Sequence, residues 1–372
     1  MEILVIGKPA VNIYLPLQEF PQEGDIFTIK GKNESVGNVG ACSACLLSKW
    51  GMTTHFTGVI GNDPYAEKVR QTFNEFKVNS KFLEVNFDKG TSVNYIILNM
   101  KDGIASKILY NDPDNQLTRF KYDFVPEFAV IDGTDFAGAH ALLNNNGSCK
   151  TVFYARIGDR DTINMSKRCT WVVCTQNFAE TMTRYDAEDT AESYVNLYQK
   201  IVDSAGASNY IVLLNNHKIL YSVDGKVKML PEMKINVADY SSFDSVFVGA
   251  LAFCFANNMD IDDAIKLANT AAAISISRIG EVPAIPTIDE VLDNSGLREK
   301  LGLARQKSNE VAQAQQVAPL QPGYHQDAQG QPVASAETPQ PASQPDMTSQ
   351  AFNQTPQPST SESNIFDKPN NG

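Results

Sequence analysis

Long runs of a single chemical character are scarce in this 372-residue chain. No window approaches the ~18 consecutive apolar residues that a bilayer-crossing helix needs, so no membrane span is expected. No block of Lys or Arg is long enough to track a phosphate backbone, and with a formal net charge of −12 direct nucleic-acid binding is disfavoured. The opening Met1-Glu-Ile-Leu-Val-Ile-Gly7 lacks a basic segment and its apolar run is too short for a secretory leader, so it reads as a strand entering a turn and a cytoplasmic location is expected. Histidine is sparse (four residues), and the six cysteines are scattered. Cys42-Ser-Ala-Cys45 has C-x-x-C spacing but no second pair, and reads as helix-packing thiols in preference to a metal or redox centre.

What is present falls into two parts. Residues 1–303 alternate strand-like and helix-like segments, and 42% of the whole chain is hydrophobic, enough for a sizeable core. Strands are expected at Ile3–Ile6, Thr54–Ile60, Trp171–Cys174 and Tyr210–Leu214. Helices are expected at Ala41–Trp50, Pro64–Lys77, Asp189–Ser204, Ser245–Asn257 and Ile261–Arg278. Ser92–Leu98 and Ser106–Leu109 alternate around Asp102-Gly103, a hairpin signal. This order predicts an α/β fold: a three-layer, mostly parallel sheet covered on both faces, with a small side sheet. From 304 to 372 the chain turns to Gln, Pro, Ser and Asn. Nine of the 18 prolines lie from Pro319 to Pro369, a composition that cannot offset its ordering entropy. Its last apolar pair, Ile365-Phe366, is a candidate docking peptide for a protein partner on a flexible tether.

Six landmarks in order carry a resemblance. They are the Val5-Ile-Gly7 strand with Asn12 following; Gly37-Asn-Val-Gly-Ala-Cys42; Thr57-Gly-Val-Ile-Gly-Asn-Asp63; Asn177-Phe-Ala-Glu180; Asp239 to Leu251; and the Ala-rich stretch from Asn269 to Gly280 with Pro283 and Pro286. Together, over about residues 1–295, they resemble the ribokinase (PfkB) family of carbohydrate kinases. The resemblance implies a Rossmann-like domain with a small β lid (strands about 10–35 and 90–112), ATP and magnesium at one sheet edge, and a sugar under the lid. It implies substrate-binding positions at Asn12, Gly37, Asn38 and Cys42, and nucleotide or magnesium positions at Asn177, Glu180, Asn215 and Asp239. Family lids often pair between subunits, so a homodimer through the lid is one expected assembly.

The same alignment exposes losses. The family signature Asp-Thr-x-Gly-Ala-Gly-Asp-x-Phe reads here from Asp239 with Ser242 and Asp244 at the glycines and Ser245 at the catalytic base. A serine hydroxyl is far too weak a base, and an anion hole needs close, flexible backbone N–H groups at a helix start. Ser242-Phe243-Asp244 places a ring and a carboxylate there instead, with Asp244 expected to cap the helix. Asn12 replaces an Asp, Cys42 an Asn, and Leu213-Leu-Asn-Asn-His-Lys218 has no glycine where the family approaches ATP phosphates. In Val152–Asp159, only Arg156 and Asp159 read as polar. Scaffold landmarks persist while ligand-touching positions go. The expected reading is a pseudokinase with a binding, regulatory or scaffolding role, for a small sugar-like ligand or a protein partner. The alternative is an active, divergent sugar or nucleoside kinase with Asp244 as base and Asn177 and Glu180 supporting magnesium.

Overall fold

The computed structural model describes residues 1–301 apart from Lys30 and residues 206–208; the compositionally distinct tail, with Ile365 and Phe366, lies outside the described residues. The strands are β1 (Glu2–Ile6), β2 (Ala10–Leu17), β3 (Asn33–Gly37), β4 (Thr53–Ile60), β5 (Asn79–Val85), β6 (Ser92–Asn99), β7 (Ala105–Tyr110), β8 (Phe128–Ile131), β9 (Lys150–Ala155), β10 (Trp171–Thr175), β11 (Asn209–Leu213), β12 (Ile219–Val223) and β13 (Lys226–Leu230). The helices are α1 (Val39–Lys49), α2 (Pro64–Glu75), α3 (Phe136–Asn145), α4 (Arg160–Ser166), α5 (Gln176–Thr183), α6 (Ala191–Ala205), α7 (Phe243–Ala256), α8 (Ile261–Ile276), α9 (Ile288–Ser295) and α10 (Arg298–Leu301).

Nine strands form one sheet in the order β13-β12-β11-β10-β9-β8-β1-β4-β5. Pairing is parallel from β5 to β11 and antiparallel only at the β11–β12–β13 edge. β1, β8, β9 and β11 are near-continuous apolar runs because both sheet faces are covered: one by α1, α7 and α8, the other by α3, α5 and α6. A second sheet, β3-β2-β6-β7, forms the lid. Its β6–β7 hairpin turns where Asp102-Gly103 was expected to turn it, with Gly103 at φ 73.

Two features place a crevice. The chain leaves β1 toward β4 on one side and later returns to β8 on the other, so the strand order reverses between β1 and β8; ligands of open α/β sheets bind beyond the strand ends at such a reversal. β1 also runs through Gly7–Pro9 directly into lid strand β2, which ties lid to body at that point. The surviving Asp63 landmark has a mechanical reason. Its side chain caps α2, accepting from Ala66 N at 2.8 Å, and also accepts from Thr91 N at 2.7 Å, fixing the entry to lid strand β6.

Candidate active site

The N-terminus of α7 does not begin where the sequence suggested. A single 3₁₀ turn over Tyr240–Ser242 precedes it, and Asp239 caps that turn, accepting from Ser241 N and Ser241 Oγ at 2.8 Å each and from Gly280 N at 3.0 Å. Asp239 is fully buried, and burial raises its carboxyl above the ordinary range while those donors oppose the rise. The N-cap of α7 is Ser242, not Asp244, and it makes no side-chain cap bond. Asp244 sits in the first turn, where its carboxylate accepts from the Tyr154 hydroxyl of β9. Burial raises the Asp244 carboxyl, with the Tyr154 bond and Lys107 pulling the other way, and burial together with the Asp244 charge pushes the Tyr154 phenol well up. The Phe243 ring lies 6.5 Å from that of His217 in the loop after β11. It stacks parallel to Phe247 at 6.2 Å, within the core beneath α7.

What fills the site is an ion pair that was not anticipated. Glu281, just beyond α8 and 1% exposed, accepts from Ser245 Oγ at 3.1 Å and from the Asn38 backbone N–H at 2.9 Å through one oxygen. Its other oxygen accepts from Lys107 Nζ at 2.8 Å, and Lys107, reaching down from lid strand β7, also donates to the Ser241 carbonyl at 2.8 Å. Burial alone would lower the Lys107 ammonium, but the Glu281 carboxylate outweighs it and holds it above its ordinary value. The α7 start and the α1 start thus both face a carboxylate built into the chain, and helix N-termini favour negative charge at that place.

Beside the pair lies an amide network. Asn94 donates to Asn12 Oδ1 and to Asn38 Oδ1, both at 2.8 Å; Asn38 Nδ2 donates to the Lys8 carbonyl at 2.9 Å; and the Tyr14 hydroxyl meets Ser241 Oγ at 3.2 Å. Asn38 adopts φ 75 and ψ 152 as the N-cap of α1, a region that glycine enters freely and other residues only under strain, so the turn keeps its glycine backbone at a cost. Gly37 has no room for a side chain: a Cβ there would lie 2.1 Å from Asn12 Nδ2. The structure therefore brings Asn12, Gly37, Asn38, Asp239 and Ser245 together. Cys42 packs in the core on α1, fully buried, and burial with the nearby Glu281 charge holds its thiol well above the ordinary value.

At the switch point, Asp132 follows β8. Its Oδ1 accepts from Thr134 N and Oγ1, while Oδ2 has no hydrogen-bond partner and lies where a Cβ on Gly7 or Gly40 would be. Burial raises its carboxyl to about 7 against the pull of those Thr134 bonds.

The nucleotide side is less assembled. α5 is capped by Thr175, which accepts from Phe178 N at 3.2 Å, so Asn177 is not the cap. Asn177 is exposed, and Glu180 Oε1 is engaged by Gln176 Nε2 at 2.8 Å and Ala187 N at 3.1 Å. Gln176 also accepts from Asn215 N at 3.0 Å, so this unforeseen residue, not a ligand, links Glu180 to Asn215. In the loop after β11, His217 takes φ 60 and stacks on Tyr240 at 4.4 Å. Among the described residues no group of three His, Cys, Asp or Glu is placed to hold a metal ion.

A family model described as pfkB family carbohydrate kinase matches residues 2–288. The chain belongs to the pfkB family. The deoxyribokinase of Salmonella typhi is 20% identical over 318 residues, covering 80% of this chain and 100% of that protein. The ribokinase of Staphylococcus aureus is 19% identical, covering 78% of this chain and 98% of that one. Among solved structures, the Cryptococcus neoformans ribokinase in complex with ADP aligns with a TM-score of 0.67 at 18% identity, over 79% of this chain and 98% of that one. The Arabidopsis thaliana ribokinase complexed with ribose and ATP aligns at 0.62 and 17%, over 79% and 98%. The pfkB fold is thereby shown. The Glu281–Lys107 pair, Tyr154, Asn94 and Asp132 were missed in the sequence. The available signal was a lone Glu between Gly280 and Pro283 in apolar surroundings, and a tyrosine in an otherwise apolar strand.

Proposed function

We propose that this pfkB-family chain has kept the sugar-kinase scaffold and lost phosphoryl transfer, and that it acts by binding, in a regulatory or scaffolding role. The observation that carries this reading is Glu281 seated on Ser245 Oγ and the Asn38 N–H, with Lys107 closing over it. A transferring phosphoryl group needs open backbone donors at a helix start and a proton acceptor beside them. Here the Glu281 carboxylate takes the Ser245 hydroxyl at the α7 start and the Asn38 backbone N–H at the α1 start, and the base position is a serine hydroxyl that itself donates. A phosphate entering would meet like charge from Glu281.

The test is an ATP-turnover assay with magnesium against ribose, deoxyribose, fructose and a panel of nucleosides, the substrate classes of the relatives. No turnover above a no-protein blank is expected. The competing reading, an active kinase, draws support from Asp244, a carboxylate of raised pKa one residue from the family base position. Its own carboxylate is committed to Tyr154, which weighs against it. Turnover that vanishes in Asp244→Asn would establish that reading and end ours. For ATP itself, a melting curve at ~100 Kd would gain about 2.7 kcal/mol if nucleotide bound; we expect no shift with Mg–ATP. We further propose a homodimer through the lid and a docking role for Ile365-Phe366, as partner-binding elements of the same scaffold.

A further inference from the structure

We propose that the Glu281–Ser241 acceptor pair beneath the lid takes a ligand bearing a primary ammonium group, and that Lys107 is the lid's own stand-in for that group. This rests on the binding role proposed above and names the ligand class of the same site.

The cation seat is made by the body of the protein, not by the lid. Its two acceptors are Glu281 Oε1 and the Ser241 carbonyl, each 2.8 Å from Lys107 Nζ. The carboxylate is locked from behind, because its other oxygen is held by Asn38 N and Ser245 Oγ. The two partners differ in how free they are to leave. The Glu281 side chain is 1% exposed, whereas that of Lys107 is 31% exposed and enters from the edge strand of a separate sheet. A buried carboxylate stripped of its counter-charge is strongly unfavourable. The lid therefore lifts away readily only when another cation takes the place of Lys107. Asp244 and Asp239 add further negative potential at the same point. An anion is repelled there, a quaternary ammonium has no N–H to give either oxygen, and a hard metal ion takes about six oxygens where this seat offers two. An ammonium group satisfies both charge and geometry.

Lys107→Ala leaves Cβ and removes a propylammonium's worth of side chain, so n-propylammonium chloride is the probe. With the full-length chain, Lys107→Ala should lower the melting temperature by about 5 °C or more, and propylammonium should restore at least half of that loss saturably. Lys107→Ala combined with Glu281→Gln should show no such recovery. Tetramethylammonium at matched ionic strength and inorganic phosphate should not rescue either variant. Equal responses of the single and double variants, or a larger gain from phosphate than from propylammonium, would overturn the proposal. If Lys107→Ala fails to fold, amide exchange on the wild-type chain decides. Saturating propylammonium should speed exchange along β7 as Lys107 is displaced, and an unchanged rate sinks the idea. ATP turnover by the wild type would remove the binding-only reading while leaving the rescue result intact, so the two failures are distinguishable.

Discussion

Asp132 is a fully enclosed acid whose ionisation the fold opposes. Its carboxyl is raised by burial from 3.8 to about 7, so the folded state holds a proton that the unfolded chain has released. The stability it contributes is complete below about pH 4 and is lost as pH rises toward 7, by up to about 4 kcal/mol over that window. Asp132→Asn keeps an acceptor for Thr134 but cannot ionise. It should flatten the fall in stability between pH 4 and 7, measured by urea unfolding across that range; an unchanged slope would place the titrating group elsewhere. Glu281 is buried too, and it is paired. Removing Lys107 alone should cost about 3 kcal/mol, because it strands a buried carboxylate. Glu281→Gln retains an acceptor for Ser245 and Asn38 without the charge, so the Lys107→Ala, Glu281→Gln cycle should return a favourable coupling of about 1–3 kcal/mol. A coupling near zero would mean that the pair is only a surface contact.

At the scale of elements, α1 and α7 approach so closely that Gly249 has no room for a methyl group: a Cβ there would lie 2.9 Å from Ser43 Cα. Alanine would gain helix propensity of about 1 kcal/mol, but forcing the helices apart costs about 1–3 kcal/mol, so packing wins. Gly249→Ala should lose about 1 kcal/mol net in chemical denaturation, and a stabilised variant would show that α1 is free to shift. Elements were largely legible in the sequence because their signals are local. Apolar runs gave β1 and β11, α2 was expected from Pro64, and Asp102-Gly103 gave the lid hairpin. The start of α7 was misread although Asp239 caps the 3₁₀ turn locally through Ser241 N; its further bond to Gly280 N, 41 residues away, is the part that no window of neighbouring residues contains. The same holds for the site. Asn12, Asn38, Asp239 and Ser245 were found through motif order, whereas Glu281, Lys107 and Tyr154 act only through partners brought together by the fold.

For the whole molecule, the outer face of the lid bears on the proposed assembly. Ile108 pairs opposite Tyr95 and Val93 opposite Tyr110, so these alternate residues share the face turned away from Lys107. Ile108 is 59% and Tyr110 58% exposed. We expect a dimer in sedimentation velocity that dissociates in Ile108→Asp; a wild-type monomer at every concentration would remove the lid dimer. No helix among the described residues is long and apolar enough to cross a membrane.

The ion pair at the heart of the site joins residues 174 positions apart. During synthesis at roughly 5–20 residues per second, Lys107 would be made roughly 9–35 s before Glu281. All four strands of the lid lie before residue 111 and are available to pair by then. The nascent chain thus carries a finished lid whose lysine has no counter-ion, and closure of the cup belongs among the last events of folding, when the segment beyond α8 finally docks.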